Sequence, residues 1–150
     1  MKLFRSKPPW YAAGLAFECT GCGKCCAGPM EGYVWVTLEE IAAIARHLGI
    51  RVAEAQRRYV RSVGRRFSLK EVPGSNDCVL LLPETERDDA KSRRCRVYPI
   101  RPRQCRTWPF WPGNLHSPDS WSAAATRCPG INRGPLRSAE QIEETADGTP

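Results

Sequence analysis

The chain contains no apolar run near the roughly 20 residues that a bilayer-crossing helix needs. It also lacks a convincing export signal. Lys2, Arg5 and Lys7 resemble a basic leader, but Pro8 and Pro9 follow at once. The stretch Trp10 to Phe17 is short, is interrupted by Gly14 and carries no small-x-small cleavage site. Glu18 just before Cys19 argues against a lipid-modified cysteine. These absences exclude a membrane span, and the expected location is the cytosol. There are two histidines, and neither His47 nor His116 has ligand-like spacing to a cysteine or to the other. No Ser/His/Asp set, glycosidase-like carboxylate pair, glycine-rich nucleotide motif, internal repeat or low-complexity tract is present. The usual hydrolytic and nucleotide-binding chemistries therefore have no residues to run on, and whether the chain is an enzyme is left open.

What is present is ordinary in amount and unusual in kind. At 150 residues the chain has the size of one domain. Hydrophobic residues at 41% and charged residues at 26% exclude a disordered polymer. Thirteen prolines and 12 glycines predict long loops. Against that background stand eight cysteines. They suit four disulfides or two four-cysteine metal sites. Disulfides need an oxidising compartment, whereas clustered cysteines in a reducing cytosol more often bind metal.

Four of them form one loop, Cys19-x2-Cys22-x2-Cys25-Cys26, rich in glycine and so able to bend tightly. Cys-x2-Cys pairs occur in zinc ribbons. Cys-x2-Cys-x2-Cys with a distant Cys-Pro occurs in bacterial ferredoxins, and Cys128-Pro129 is such a Cys-Pro. The candidate cofactors are thus an iron–sulfur cluster of the [4Fe–4S] type or Zn2+. In extended backbone, adjacent side chains point to opposite sides. Cys25 and Cys26 would then serve two neighbouring sites, unless Cys26 is structural or redox-active. Cys78, Cys95, Cys105 and Cys128 form the second cluster and close long loops.

Arg93, Arg94, Arg96, Arg101, Arg103 and Arg106 crowd that second cluster. Charge compensation is the simpler reading: eight thiolates and two zinc ions would take the formal charge from +7 to about +3. Arginines also donate to sulfur and tune a cluster. The alternative is nucleic-acid binding, with Trp108, Phe110 and Trp111 as stacking surfaces. Asp77 reads as a turn residue, Asp88-Asp89 as a solvated loop, and Glu39, Glu40 and Glu54 as helix-surface or capping residues.

Local patterns predict a small α+β domain. Tyr33–Val36 reads as a strand. Thr37-Leu38-Glu39-Glu40 is a capping box that starts a helix, and Gly49 stops it. Residues 51–62 read as a second, basic helix. Phe67–Val72 and Cys78–Leu82 read as strands around the turn Pro73–Asp77, and residues 95–98 as a further strand. The charged stretch Glu84–Arg94 reads as a loop, Pro102 as the start of a short helix carrying Cys105, and 111–127 as irregular. Ser138 caps a terminal helix. The expected organisation is a basic aromatic lead-in over 1–18, a cysteine-bearing metal domain over 19–130, and a short helix and tail over 131–150. Two N-terminal helices would pack on a short antiparallel sheet, with the cysteine loops stapled by metal.

The sequence resembles the YkgJ-type CxxCxxCC cysteine-cluster family, described as zinc- or iron-chelating. The family's elements are matched by Cys19, Cys22, Cys25 and Cys26; by Cys78 before Val79–Leu82; by Cys95 to Pro109 with Tyr98, Arg101, Pro102, Cys105, Arg106 and Trp108; and by Cys128-Pro129-Gly130. The resemblance implies a cytosolic bacterial metal-binding protein, with all eight cysteines as the candidate ligands. Arg101 and Arg106 read as charge compensation for the sulfurs, and Tyr98 as a donor to sulfur or, as an aromatic strand residue, as part of the core. The resemblance implies no reaction. Flagellin lysine methylases carry a similar cysteine pattern, but this chain is much shorter and the methylation activity is not carried over. An iron–sulfur protein would need a redox partner. A zinc module would use its arginine-rich face on protein or nucleic acid.

A thin core stapled by metal should depend on it. Chelation is expected to unfold the cysteine-bearing half, read by far-UV circular dichroism and limited proteolysis. A protein unchanged by chelation would contradict this.

Overall fold

The computed structural model describes residues 7–28, 32–83 and 95–150. The expected loop Glu84–Arg94, with Asp88, Asp89, Arg93 and Arg94, lies outside the described residues. So do Lys2 and Arg5. The architecture is α+β with antiparallel pairing throughout the named strands. The chain forms two compact units, residues 20–106 and residues up to Cys19 together with 107–149.

In the central unit, β2 (Trp35–Val36), β3 (Val60–Val63) and β4 (Arg66–Leu69) form a sheet in the order β2-β4-β3. Strand β1 (Leu15–Phe17) belongs to the other unit. Helix α1 (Leu38–Leu48) begins at the predicted capping box: Thr37 Oγ1 accepts from Glu40 N, and Glu40 Oε1 accepts from Thr37 N. It ends at Gly49, whose φ of 69° is the left-handed cap that glycine adopts without strain. Helix α2 (Val52–Tyr59) is shorter than predicted, because Val60 turns into the hairpin β3–β4. Val36, Ile41, Ile44, Ala55, Val60 and Leu69 belong to one apolar core, joined by Leu80 and Val97.

The predicted strands 78–82 and 95–98 are not strands. Cys78 pairs with Glu71, and Cys95 with Leu81, through single bridges. Each cysteine then enters a tight turn, in which Leu81 N donates to Cys78 O and Tyr98 N donates to Cys95 O. A run of apolar residues cannot by itself distinguish a strand from an anchored turn. Here Leu80 and Val97, the third residues of the two turns, are the ones fully buried.

Helix α3 (Arg103–Thr107) carries Cys105, as expected. With five residues it is too short to be stable by itself. Glu40 holds its start: Oε2 accepts from Arg103 N at 2.6 Å. Gln104 holds its flank, donating to Tyr33 O and accepting from Trp35 N, both at 2.8 Å. The amide thus gives strand β2 the hydrogen bonds that a neighbouring strand would.

In the second unit, β1 (Leu15–Phe17) pairs with β5 (Ile131–Arg137), with an irregularity between Ala16 and Phe17. Helices α4 (Pro118–Ala125) and α5 (Ala139–Asp147) complete it. The stretch 111–127 is therefore not irregular throughout. Its helix is announced by Ser117 as cap and Pro118 at the first position. Phe110 stacks on Trp121 at 5.7 Å within the core of Tyr11, Leu15, Leu115, Ile131 and Ile142. Among the described residues, no helix is long and apolar enough to cross a membrane.

Gly130 marks a close backbone approach. Glu18 N donates to Gly130 O at 3.1 Å, and a Cβ on Gly130 would lie 2.0 Å from Glu18 O. This contact ties the segment bearing Cys19 to the segment bearing Cys128. Gly130→Ala is expected to cost about 2 kcal/mol of stability, because backbone must move. Gly49→Ala, which meets nothing within 4 Å, should cost only the left-handed strain of about 1 kcal/mol. Urea denaturation of both variants checks the order.

Candidate metal centre

The first cysteine loop bends at Gly21 and Gly23, with φ of 72° and 74°. Lys24–Cys26 then forms a 3₁₀ turn. The expectation that Cys25 and Cys26 point apart assumed extended backbone, and it fails for that reason. In the turn their sulfurs lie 3.9 Å apart. A metal–sulfur bond of about 2.3 Å in a tetrahedron sets neighbouring sulfurs roughly 3.8 Å apart, so this pair has the separation of a shared-ion edge.

The loop is docked on the turn before Cys78. Cys78 N donates to Cys26 O at 2.7 Å, and Gly28 N donates to Asp77 Oδ1 at 2.7 Å. A Cβ on Gly28 would fall 1.8 Å from Ser75 O, so only glycine permits this approach. Asp77, read from sequence as a turn residue, is also the clamp that sets the vicinal cysteines against Cys78.

The paired turns supply the next sulfurs. In each, the backbone N–H two residues on points at the cysteine: Leu80 donates to Cys78 and Val97 to Cys95. Lys24 N donates to Cys22 Sγ in the same way, at 3.5 Å. Arg96 N donates to Leu80 O at 2.8 Å, which fastens the two turns to each other. Such N–H···S bonds favour the thiolate over the thiol.

The two clusters read from sequence are therefore not two clusters in space. Cys25 and Cys26 of the first share a neighbourhood with Cys78, Cys95 and Cys105 of the second. The mutual influence of these thiols is direct. Hydrogen bonds with Cys25 and Cys95 hold the Cys26 thiol far above its ordinary range, and burial adds to this. The Cys26 thiol donates to Cys95, which with the Val97 N–H and the charge of Arg101 outweighs burial and lowers Cys95 to about 7. Burial pushes Cys78 up to about 11 against the pull of the Leu80 N–H. Burial also raises Cys105, which feels the charges of Cys78, Cys25 and Cys95.

Cys19 and Cys128 belong to the other unit, where Trp108 Nε1 donates to Cys128 Sγ at 3.5 Å. Among the described residues, no disulfide joins the cysteines. Among the described residues, no three His, Cys, Asp or Glu side chains are drawn together closely enough to hold an ion as they stand. The donor set, all sulfur and backed by N–H groups, nevertheless has the chemistry of a site for a soft metal. Arg101 lies over the Tyr98 ring at 3.9 Å, donates from Nε to Tyr98 O, and its charge reaches Cys95 and Cys105. Arg106 sits exposed on α3. Gln104 and Glu40 escaped the sequence reading as positioning residues. The capping box exposed only half of what Glu40 does.

The profile of the CxxCxxCC family, described as "Putative zinc- or iron-chelating domain", matches residues 18–129. The chain belongs to this family. It is also 37% identical over 103 residues to the uncharacterised protein MJ0661 of Methanocaldococcus jannaschii, a match covering 68% of this chain and 49% of that protein. The chain thus spans about half the length of that relative. No solved structure matches the chain.

A metal taken up by Cys26, Cys78, Cys95 and Cys105 must displace their protons. Between about pH 7 and 11, the thiols of Cys26, Cys78 and Cys105 are protonated and Cys95 is a thiolate. Affinity for a probe ion such as Co2+ is therefore expected to fall as pH falls, and to fall more steeply below about pH 7, where Cys95 also gains a proton. Titrations across that range, with proton release measured alongside, check the change of slope.

Proposed function

We infer that the protein is a thiolate metal protein whose centre is an iron–sulfur cluster held by Cys26, Cys78, Cys95 and Cys105. The observation that carries this is the gathering of Cys26, Cys78 and Cys95 from three separate segments into one hydrogen-bonded, all-sulfur neighbourhood. When bound, such a group supplies one-electron chemistry. The chain's own residues would orient and tune it. Leu80 and Val97 donate backbone N–H groups to two of the sulfurs and bury their side chains in the apolar core. Arg101 offsets negative charge at Cys95 and Cys105. These are the levers by which a protein sets a cluster potential: hydrogen bonds to sulfur, nearby charge and burial. Cys19, Cys22, Cys25 and Cys128 would be the remaining ligands of the eight-cysteine set. The role that follows is electron transfer, redox sensing or support of an enzyme in the cytosol, with a redox protein as partner.

A second reading, zinc held by thiolates, is favoured by the 3.9 Å separation of Cys25 and Cys26. The family description covers both metals. In the zinc case the protein would be an interaction module rather than an electron carrier.

Metal and acid-labile sulfide content, with a visible spectrum, decide between them on protein purified without oxygen. Iron with matching sulfide and a broad visible band is expected. Cys78→Ser and Cys95→Ser should each abolish the band. Stoichiometric zinc in a colourless sample would establish the second reading, and protein free of both metals would overturn the proposal.

A further inference from the structure

The sheet β2-β4-β3 has two different faces. Val36 and Leu69 lie on the core side. The opposite side carries Tyr33 and Trp35, two residues apart and therefore on one face, with Arg61 and Arg66 from the neighbouring strands. Register places Trp35 and Arg61 on either side of Ser68. The four side chains form a ladder. Tyr33 and Trp35 stack in parallel, 5.1 Å apart with 4° between their planes. The Arg61 guanidinium lies 4.8 Å over Tyr33, and that of Arg66 lies 3.9 Å over Trp35. Arg61 Nη2 also donates to Gly32 O at 2.7 Å, which fixes its plane.

A fold does not need this arrangement to cover one serine. Tyr33 remains 44% exposed, and Arg66 is exposed. The strands carry mostly basic charge, although Glu71, just beyond them, accepts from Gly32 N at 2.7 Å beside the Arg61 contact. Residues 51–70 contain seven basic side chains and one acidic, and that acid, Glu54, is already paired with Arg58 at 3.3 Å. The metal centre uses none of these residues.

We propose that this outer sheet face binds single-stranded nucleic acid. The ring faces are taken by each other and by the guanidiniums, so the surface offered to a base is the outer face of the guanidinium planes that the rings hold flat, above all that of the exposed Arg66. Stacking there tolerates any sequence because every base has a π-face. The excess arginines along β3, β4 and their turn supply phosphate contacts. A duplex keeps its bases stacked on each other and cannot use the ladder. This site is distinct from the arginines around Cys95 and does not depend on which metal the protein holds.

The test is fluorescence anisotropy of the intact, metal-loaded protein with labelled oligo-U. Duplex DNA and vesicles containing phosphatidylserine serve as competing probes. Oligo-U is expected to bind with strong salt dependence, and more tightly than duplex. Tyr33→Ala and Arg66→Ala should each weaken it about tenfold, with metal content and melting temperature unchanged. Arg66→Lys keeps the charge and loses the plane. It should weaken binding while leaving the salt slope intact, and it carries the test if an alanine variant fails to fold. Absence of oligo-U binding at low salt would overturn the proposal. So would binding that Arg66→Lys leaves unchanged, or duplex or vesicles bound as tightly and lost in the same variants. The last result would assign the face to polyanions or membrane surface in general.

Discussion

The docking of one glycine-rich loop on one turn makes the sulfur neighbourhood exist. Cys26 offers its carbonyl to Cys78 N, Gly28 offers its N–H to Asp77, and the absent side chain of Gly28 lets the backbones meet. Without that contact the vicinal pair has no reason to face Cys78 and Cys95. With it, thiols from distant parts of the chain become neighbours that cannot all ionise, because like charges in a buried site disfavour one another. The response is visible in the proton distribution: Cys26 keeps its proton and donates it to Cys95.

Much of this was legible in the sequence, and the failures have a common cause. The capping boxes at Thr37 and Ser138 and the stop at Gly49 were legible because they are local, decided by residues within one turn of each other. The family was legible from the cysteine spacing, and its profile matches residues 18–129. The partition of the cysteines was not, since spacing groups Cys25 with Cys19 while folding places it beside Cys78 and Cys95. The runs at Cys78–Leu82 and Cys95–Tyr98 look like strands because Leu80 and Val97 must be buried. They are buried to anchor turns whose N–H groups aim at sulfur. Strands β1 and β5 pair across more than a hundred residues, a distance at which a half-exposed pattern gives no warning.

The arginines divide by task once the structure is in view. Arg101 sits against Tyr98, and its charge bears on the sulfurs, so compensation describes it well. Arg61 and Arg66 lie on aromatic rings of the sheet, in a segment with almost no acid to balance it. A single account of the basic charge, whether compensation or polyanion binding, would misassign one of these groups.

Strand β2 links the cysteine-bearing helix α3 to the aromatic ladder. It is only two residues long, and its outer edge is completed by the amide of Gln104 rather than by another strand. Gln104 adjoins Cys105 on a helix of five residues that cannot hold itself together. That helix is fixed by Glu40 at its start and by β2 at its flank. Loss of order at α3 would leave Trp35 N and Tyr33 O unpaired, and these two residues form the stacked centre of the ladder. Whatever steadies Cys105 therefore also steadies the aromatic pair, through two hydrogen bonds of one side chain.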